Sequence, residues 1–132
     1  QTSRGLTMLS ITHDLASAGH AADRIAVMYL GRIVEIATSR SLVEAPRHPY
    51  ARGLLSSIPR RGTAHKAELP TIEGTVPSLL KPPPGCRFAA RCQHRQALPG
   101  DAQRRCDEVD PLLASDGDGW VACHFPLGGV RS

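Results

Sequence analysis

The sequence is short of aromatic residues, of long apolar runs and of blocks of like charge. Phe, Trp and Tyr make up 4% of its 132 residues, so a platform for stacking nucleic-acid bases is not expected. The longest apolar run, Ile25 to Leu30, is far below the roughly 20 residues of a membrane-spanning helix. The first 66 residues carry nine basic and four acidic groups, but they form no block, and we expect a solvated surface.

The length and composition are those of one modest globular domain. Hydrophobic residues make up 41% of the chain and charged residues 21%, both close to globular averages. The sequence starts at Gln1 rather than at Met, and its polar first residues lead directly into an apolar run. We interpret this as a piece of a longer protein.

Local patterns predict a strand, a helix and a hairpin in the first third of the chain. Leu6 to Thr12 is an almost continuous apolar run of strand-forming residues, which is typical of an interior parallel strand covered on both faces. The apolar spacing from Leu15 to Ala22 favours a short helix. Two apolar runs interrupted at Gly31 predict two strands joined by a tight turn.

Two more short helices are expected before the proline-rich middle of the chain. Ser39 or Ser41 can cap the first, which Pro46 should end. Pro49 suits the first turn of the second, and Pro59 should terminate it. The prolines beyond that point predict an extended, turn-rich segment.

All cysteines lie in the C-terminal part, at Cys86, Cys92, Cys106 and Cys123. The surrounding stretch, Gly85 to Pro126, has many turn residues and few apolar ones, so we expect it to need a crosslink or a metal for order. Two disulfides would suit a secreted domain. We expect instead a compartment that keeps thiols reduced, which disfavours disulfides.

Zinc and an iron–sulfur cluster stay open as alternatives on the residues alone. Structural zinc is commonly held by Cys-x2-4-Cys pairs, which this sequence lacks, although His94 and His124 could add nitrogen ligands. An iron–sulfur cluster is larger and can be held from four scattered loop positions. Four unliganded thiols are disfavoured because they leave the segment without a source of order.

The positions of His13, Trp120 and His48 in the sequence predict a role for each of them. His13 follows the predicted interior strand at its carboxyl end, where open α/β sheets bind ligands, and its imidazole could donate to a phosphate oxygen. The alternative is an exposed loop histidine without a partner. Trp120 is predicted to be a core residue near the last cysteine, and His48 to belong to the turn before a helix.

Longer stretches of the chain resemble a known family. LSITHDLASAGHAADRIAVMYLGRIVE resembles the end of the nucleotide-binding domain of ABC transporter ATPases, where ITHD carries the switch histidine. RHPYARGLLSSIP, LPTIEGTVPSLLKPPPGCRFAARC and VACHFP resemble the C-terminal extension of oligopeptide and dipeptide importer ATP-binding subunits. The resemblance implies an α/β fragment at residues 1–37, a short helical connector at 38–62 and a small irregular cysteine-rich extension at 63–132.

The resemblance also implies a function. The chain would be the C-terminal part of a subunit that couples ATP hydrolysis to peptide import, with ATP bound as its Mg²⁺ complex. His13 would be the catalytic switch residue at the γ-phosphate, and Asp14 beside it would help to organise the nucleotide site. Because the chain has no phosphate loop, signature segment or catalytic carboxylate pair, we expect it to be inactive alone.

For the cysteines the resemblance implies a 4Fe–4S cluster held by Cys86, Cys92, Cys106 and Cys123, with zinc as the alternative. The implied partners are membrane-spanning permease subunits, a second ATP-binding subunit and a peptide delivered by a binding protein, at the cytoplasmic face of the bacterial cell membrane. No nucleic acid is expected. The other functions considered are a stand-alone zinc- or cluster-binding interaction module and a redox sensor that responds to cluster loss.

Overall fold

The computed structural model describes residue 5, residues 7–58 and residues 71–128, which form a mixed α/β fold. In chain order the elements are α1 (Leu15–Ala21), β1 (Arg24–Tyr29), β2 (Arg32–Thr38), α2 (Ser39–Glu44), α3 (Pro49–Ser56), a 3₁₀ turn (Ala89–Arg91), α4 (Gln93–Gln96), α5 (Gly100–Glu108), β3 (Ala114–Asp116) and β4 (Gly119–Val121). The strands form one antiparallel sheet in the order β1-β2-β4-β3. Within these described ranges, the helices are all too short or too polar to cross a membrane.

The predicted hairpin of β1 and β2 is confirmed. Tyr29 pairs with Arg32 across a two-residue turn in which Leu30 has φ 45° and Gly31 has φ 71°. Two successive residues with positive φ match the right-handed twist of a hairpin, and glycine adopts this conformation without a steric cost. The turn therefore depends mainly on Gly31.

A β-bulge in β2 determines which side chains face the core. Val27 pairs with Glu35 but Met28 pairs with Ile33, so Val34 is an extra residue on β2. Val34 and Glu35 are consecutive and both are buried, which a regular strand would not allow. The bulge thus places a carboxylate inside the protein.

The C-terminal strand β4 pairs with the other edge of β2. Ile36 pairs with Trp120, and a Cβ at Gly119 would lie 2.3 Å from the carbonyl oxygen of Ile36. Because Gly119 and Val121 are buried, alternation turns Trp120 outwards. The prediction that Trp120 is a core residue is wrong: it is 40% exposed, with the Arg24 guanidinium 4.9 Å from its ring centroid.

The core lies between the sheet and the helices and is centred on three aromatic rings. The ring centroids of Tyr29 and Tyr50 are 4.6 Å apart, and each lies 5.3 Å from that of Phe88. These distances are typical of favourable tilted and edge-to-face contacts. The buried residues clustered with Tyr29 and Phe88 are Ile25, Val27, Val34, Ala37, Leu42, Ala51 and Cys92.

The interior strand predicted at Leu6–Thr12 is wrong. Residues 7–12 form neither strand nor helix, and Met8, Leu9 and Ile11 are 70%, 91% and 95% exposed. A strand needs neighbours for its N–H and C=O groups. In the described part of the chain, the four strands pair only with one another. An apolar run indicates that a segment needs packing partners, but it does not identify them.

The first three helices are predicted well, but α4 and α5 are not predicted, and the cap of α2 differs from the expectation. Thr38, the last residue of β2, caps α2, because its Oγ1 accepts the Ser41 N–H at 3.1 Å. The strand runs directly into the helix, so the extended residue that a cap requires is Thr38. Helix α3 begins at Pro49 as predicted, and Pro59 lies outside the described residues.

Replacing Gly31 tests the hairpin turn. Gly31→Ala should lower the free energy of unfolding by about 1 kcal/mol because alanine is strained at positive φ. Gly100→Ala is the matched control, since Gly100 opens α5 without positive φ and a Cβ there meets nothing within 4 Å. Urea denaturation of both variants measures the difference, and equal midpoints would contradict the assignment.

A four-cysteine cavity as the candidate functional site

The buried carboxylate of Glu35 fixes the loop that precedes α3. Its Oε1 accepts the Arg47 N–H at 2.9 Å and its Oε2 accepts the His48 N–H at 2.8 Å. Glu35 is only 1% exposed, and burial raises its pKa, against the opposing effect of these two hydrogen bonds. The bulge in β2 and this loop are therefore joined through one side chain.

Arg47 extends the same connection to the C-terminal part of the chain. Its Nε and Nη2 donate to the two carboxylate oxygens of Asp116, at 2.6 and 2.9 Å. Its carbonyl oxygen accepts the Leu127 N–H at 2.8 Å. The loop before α3 is thus bound to β3 and to the segment that follows β4.

His48 caps α3 from inside the protein. It is 1% exposed, and its Nδ1 accepts the Tyr50 N–H at 3.0 Å, so this nitrogen carries no proton. The ring also forms a hydrogen bond to the backbone of Ala122, next to Cys123. Burial lowers the pKa of His48 from 6.5 to about 4, so the ring is neutral at physiological pH.

The four cysteines line one cavity beside His48 and Phe88. Unfilled space within the cavity is about 330 Å³, part of it open to solvent. None of the cysteines is in a disulfide; Cys92 and Cys106 are buried, and Cys86 and Cys123 are half-buried. The predicted set, which spans 38 residues of sequence, is therefore brought together at one place.

The thiols are protonated at neutral pH in this environment. Burial raises the pKa of Cys86 to about 11 and that of Cys123 to about 12, and it also raises the pKa of Cys92 and Cys106. The charged forms of the other three cysteines raise the pKa of Cys123 further, which shows that the sulfurs interact electrostatically. A positive centre in the cavity would have to displace these protons.

Backbone N–H groups are already directed at three of the sulfurs. The Arg95 N–H donates to Cys92 Sγ at 3.3 Å, and backbone hydrogen bonds from Phe88 to Cys86 and from Phe125 to Cys123 lower the pKa of those thiols. Such donors stabilise thiolates and are one of the levers by which proteins hold metal–sulfur centres. The donor set therefore fits a centre that takes several thiolate ligands.

The same residues are not arranged around a single ion. Among the described residues, no three side chains of His, Cys, Asp or Glu are placed to hold one metal ion. A zinc site would need its sulfurs about 2.3 Å from the metal. The nitrogen candidates His94 and His124 also line the cavity, and His124 Nε2 lies 2.7 Å from the Val109 carbonyl oxygen.

The chain matches the model of the oligopeptide/dipeptide transporter C-terminal region over residues 34–98. The dipeptide transport ATP-binding protein DppD of Bacillus subtilis is 45% identical over 111 residues, which is 84% of this chain and 31% of the relative. The dipeptide transport ATP-binding protein DppF of Escherichia coli is 42% identical over 123 residues, 93% of this chain and 35% of the relative.

The chain belongs to the oligopeptide/dipeptide transporter family. The peptide transport system ATP-binding protein SapD of Escherichia coli O6:H1 is likewise 43% identical over 123 residues, 92% of this chain and 35% of the relative. The chain spans about a third of the length of these relatives. The matched region contains Glu35, Arg47 and His48 together with Cys86 and Cys92.

His13 and Asp14 lie in the exposed segment before α1 and do not line the cysteine cavity. The Asp14 N–H donates to Thr12 Oγ1 at 3.0 Å, which shapes the start of the helix. Their predicted role at a nucleotide stays a prediction.

Sequence reasoning missed Glu35 and gave His48 too small a role. In the sequence, Glu35 is a single charge within an apolar run, and His48 is part of His-Pro-Tyr. A lone acidic residue in a strand that is otherwise apolar was the available signal, because burying it requires N–H donors from elsewhere. Those donors follow 12 and 13 residues later in the chain.

Replacing His48 with Asn tests its buried, neutral state. The folded-state pKa lies below the unfolded value, so stability is fully present above pH 6.5 and falls by about 1.4 kcal/mol per pH unit towards pH 4. Asn can still accept the Tyr50 N–H but does not titrate. Denaturation from pH 7.5 to 4 should therefore show a stability difference between the native chain and His48→Asn that shrinks by about 3 kcal/mol.

The difference between the two chains isolates His48, since Glu35 titrates in both. His20→Asn, at an exposed position in α1, is the control and should leave the pH dependence unchanged. A constant difference between the native chain and His48→Asn over this range would contradict the assignment.

Proposed function

We propose that this chain is the C-terminal part of an ATP-binding subunit of a peptide importer, and that its cysteine cavity holds a 4Fe–4S cluster. The observation that carries the proposal is the convergence of Cys86, Cys92, Cys106 and Cys123 on one cavity in a member of the oligopeptide/dipeptide transporter family. Its relatives are named as dipeptide and peptide transport ATP-binding proteins.

The four cysteines would hold the cluster as thiolates. When bound, the cluster supplies a covalent crosslink between segments that are up to 37 positions apart in the chain. The N–H groups of Arg95, Phe88 and Phe125 would offset the negative charge of the sulfurs. Zinc is the less favoured occupant because no three potential ligands among the described residues surround a single point.

At the other end of the chain, His13 would contact the γ-phosphate of ATP as the switch residue, and Asp14 would help to organise the nucleotide site. Their exposure supports this role, because a residue that meets nucleotide held by other parts of a subunit must be accessible. The exposed apolar side chains of Met8, Leu9 and Ile11 support the same arrangement, in which further strands cover this segment.

The proposed organisation follows from these roles. Residues 1–37 would complete the nucleotide-binding domain, residues 38–62 would connect it, and residues 63–132 would form the cysteine-containing extension. The partners would be membrane-spanning permease subunits and a second ATP-binding subunit at the cytoplasmic face of the cell membrane, with peptide delivered by a binding protein.

Anaerobic reconstitution tests the cluster. The chain incubated with ferrous iron and sulfide should take up about four of each and gain a visible absorption band, and Ser at any of the four cysteines should lower both. Reconstitution with zinc alone is the control. A colourless protein that binds one zinc, or iron bound without sulfide, would contradict the proposal.

A chimaera tests the ATPase assignment. The chain alone should show no ATP hydrolysis above background, because it lacks the phosphate loop and catalytic carboxylates. When it replaces the matching part of Escherichia coli DppF in the assembled transporter, hydrolysis should persist and fall at least about 100-fold with His13→Ala.

The matched control for that chimaera is His20→Ala, an exposed histidine in α1. Full activity of the His13→Ala chimaera, or hydrolysis by the isolated chain that His13→Ala abolishes, would contradict the assignment.

A further inference from the structure

An ion pair connects two of the segments that carry cysteines. The guanidinium of Arg95 binds the carboxylate of Asp107 through two hydrogen bonds, with Nε donating to Oδ1 at 2.8 Å and Nη2 donating to Oδ2. The Arg95 side chain is 22% exposed and that of Asp107 is 44% exposed. Two-point binding of this kind fixes the relative orientation of both side chains.

Each partner of the pair is adjacent to a cysteine. Arg95 lies in α4, three residues after Cys92, and its own N–H donates to Cys92 Sγ. Asp107 directly follows Cys106 in α5. The pair therefore connects α4, which follows Cys92, to α5, which contains Cys106.

A third cysteine, Cys86, is hydrogen-bonded to the backbone of α5. The Cys86 N–H donates to the Cys106 carbonyl oxygen at 2.8 Å, and a Cβ at Gly85 would lie 2.4 Å from that oxygen. Cys86 thus rests on the backbone of α5, and α5 is linked to α4 by the ion pair. Movement of Asp107 would change the positions of three of the four sulfurs.

Resting on the proposed cluster, we infer that Arg95 and Asp107 are positioning residues that keep three of the four thiols in place and slow the release of the cluster. Neither side chain is a ligand. Outer residues that orient metal ligands commonly change metal affinity by 10- to 100-fold when they are replaced. An exposed ion pair that does not orient metal ligands contributes little to stability.

A double-mutant cycle tests this inference on the reconstituted chain. Arg95→Gln and Asp107→Asn should each speed the loss of visible absorption in the presence of an iron chelator by about tenfold. The double variant should be no faster than the faster single variant, because both changes remove one interaction. Arg40→Gln, which removes the exposed Arg40–Glu44 pair, is the matched control and should leave the rate unchanged.

The reduction potential supplies a readout that a purely structural pair would not move in this way. Arg95→Gln leaves a negative charge beside the cluster and should lower the potential, whereas Asp107→Asn leaves a positive charge and should raise it. Arg95→Lys keeps the charge but loses the two-point contact, so it should release the cluster faster with an unshifted potential. If Arg95→Gln fails to fold, Arg95→Lys replaces it in the measurement of the release rate.

The outcomes separate the two proposals. A native chain that takes up no iron and sulfide overturns the proposed cluster, and this inference with it. A native chain that binds the cluster, together with native release rates in Arg95→Gln and Asp107→Asn, overturns only the positioning role. Additive rates in the double variant, or potentials that shift in the same direction, would overturn it as well.

Discussion

The structure depends on one buried carboxylate, that of Glu35, which is stabilised by two backbone N–H groups and by the charge of Arg47. Glu35 is placed in the interior by a bulge, and the N–H groups of Arg47 and His48 satisfy its two oxygens. Removing either N–H would leave a buried acceptor unsatisfied, at a cost of about 1–3 kcal/mol. The loop between α2 and α3 is held in one conformation for this reason, and both Arg47 and His48 then connect it to the C-terminal strands.

Contacts within the protein help to order the cysteine-containing segment. The apolar content of residues 85–126 indicates that a metal or crosslink is needed. In the structure, β4 pairs with β2, Arg47 binds Asp116, and Phe88 packs on Tyr29 and Tyr50. Strand pairing, the Arg47–Asp116 ion pair and aromatic packing therefore supply part of the order, and a bound centre would add to it rather than act alone.

The parts of the fold that could be predicted are those that local chemistry decides. Gly31 in a hairpin turn and Pro49 at a helix start need only their neighbours in sequence. The bulge depends on the register between β1 and β2. The outward side of Trp120 and the burial of Glu35 depend on pairing between β2 and β4, more than 80 residues apart. Residues 7–12 could not be predicted for a similar reason, since an apolar pattern does not identify the surface that covers it.

At the site, the sequence identifies the four thiols but not the residues around them. The hydrogen bonds of the neighbouring histidines reduce the number of nitrogen atoms that could bind a metal. His48 lines the cavity, yet its Nδ1 accepts the Tyr50 N–H and its ring also bonds to the backbone of Ala122, so neither nitrogen is available. His124 has Nε2 engaged with Val109. A site that used a nitrogen of His48 or the Nε2 of His124 would need these rings to break contacts that hold α3 and the end of α5. The thiols need only lose protons, which burial has made difficult for water to remove but which a cationic centre displaces directly.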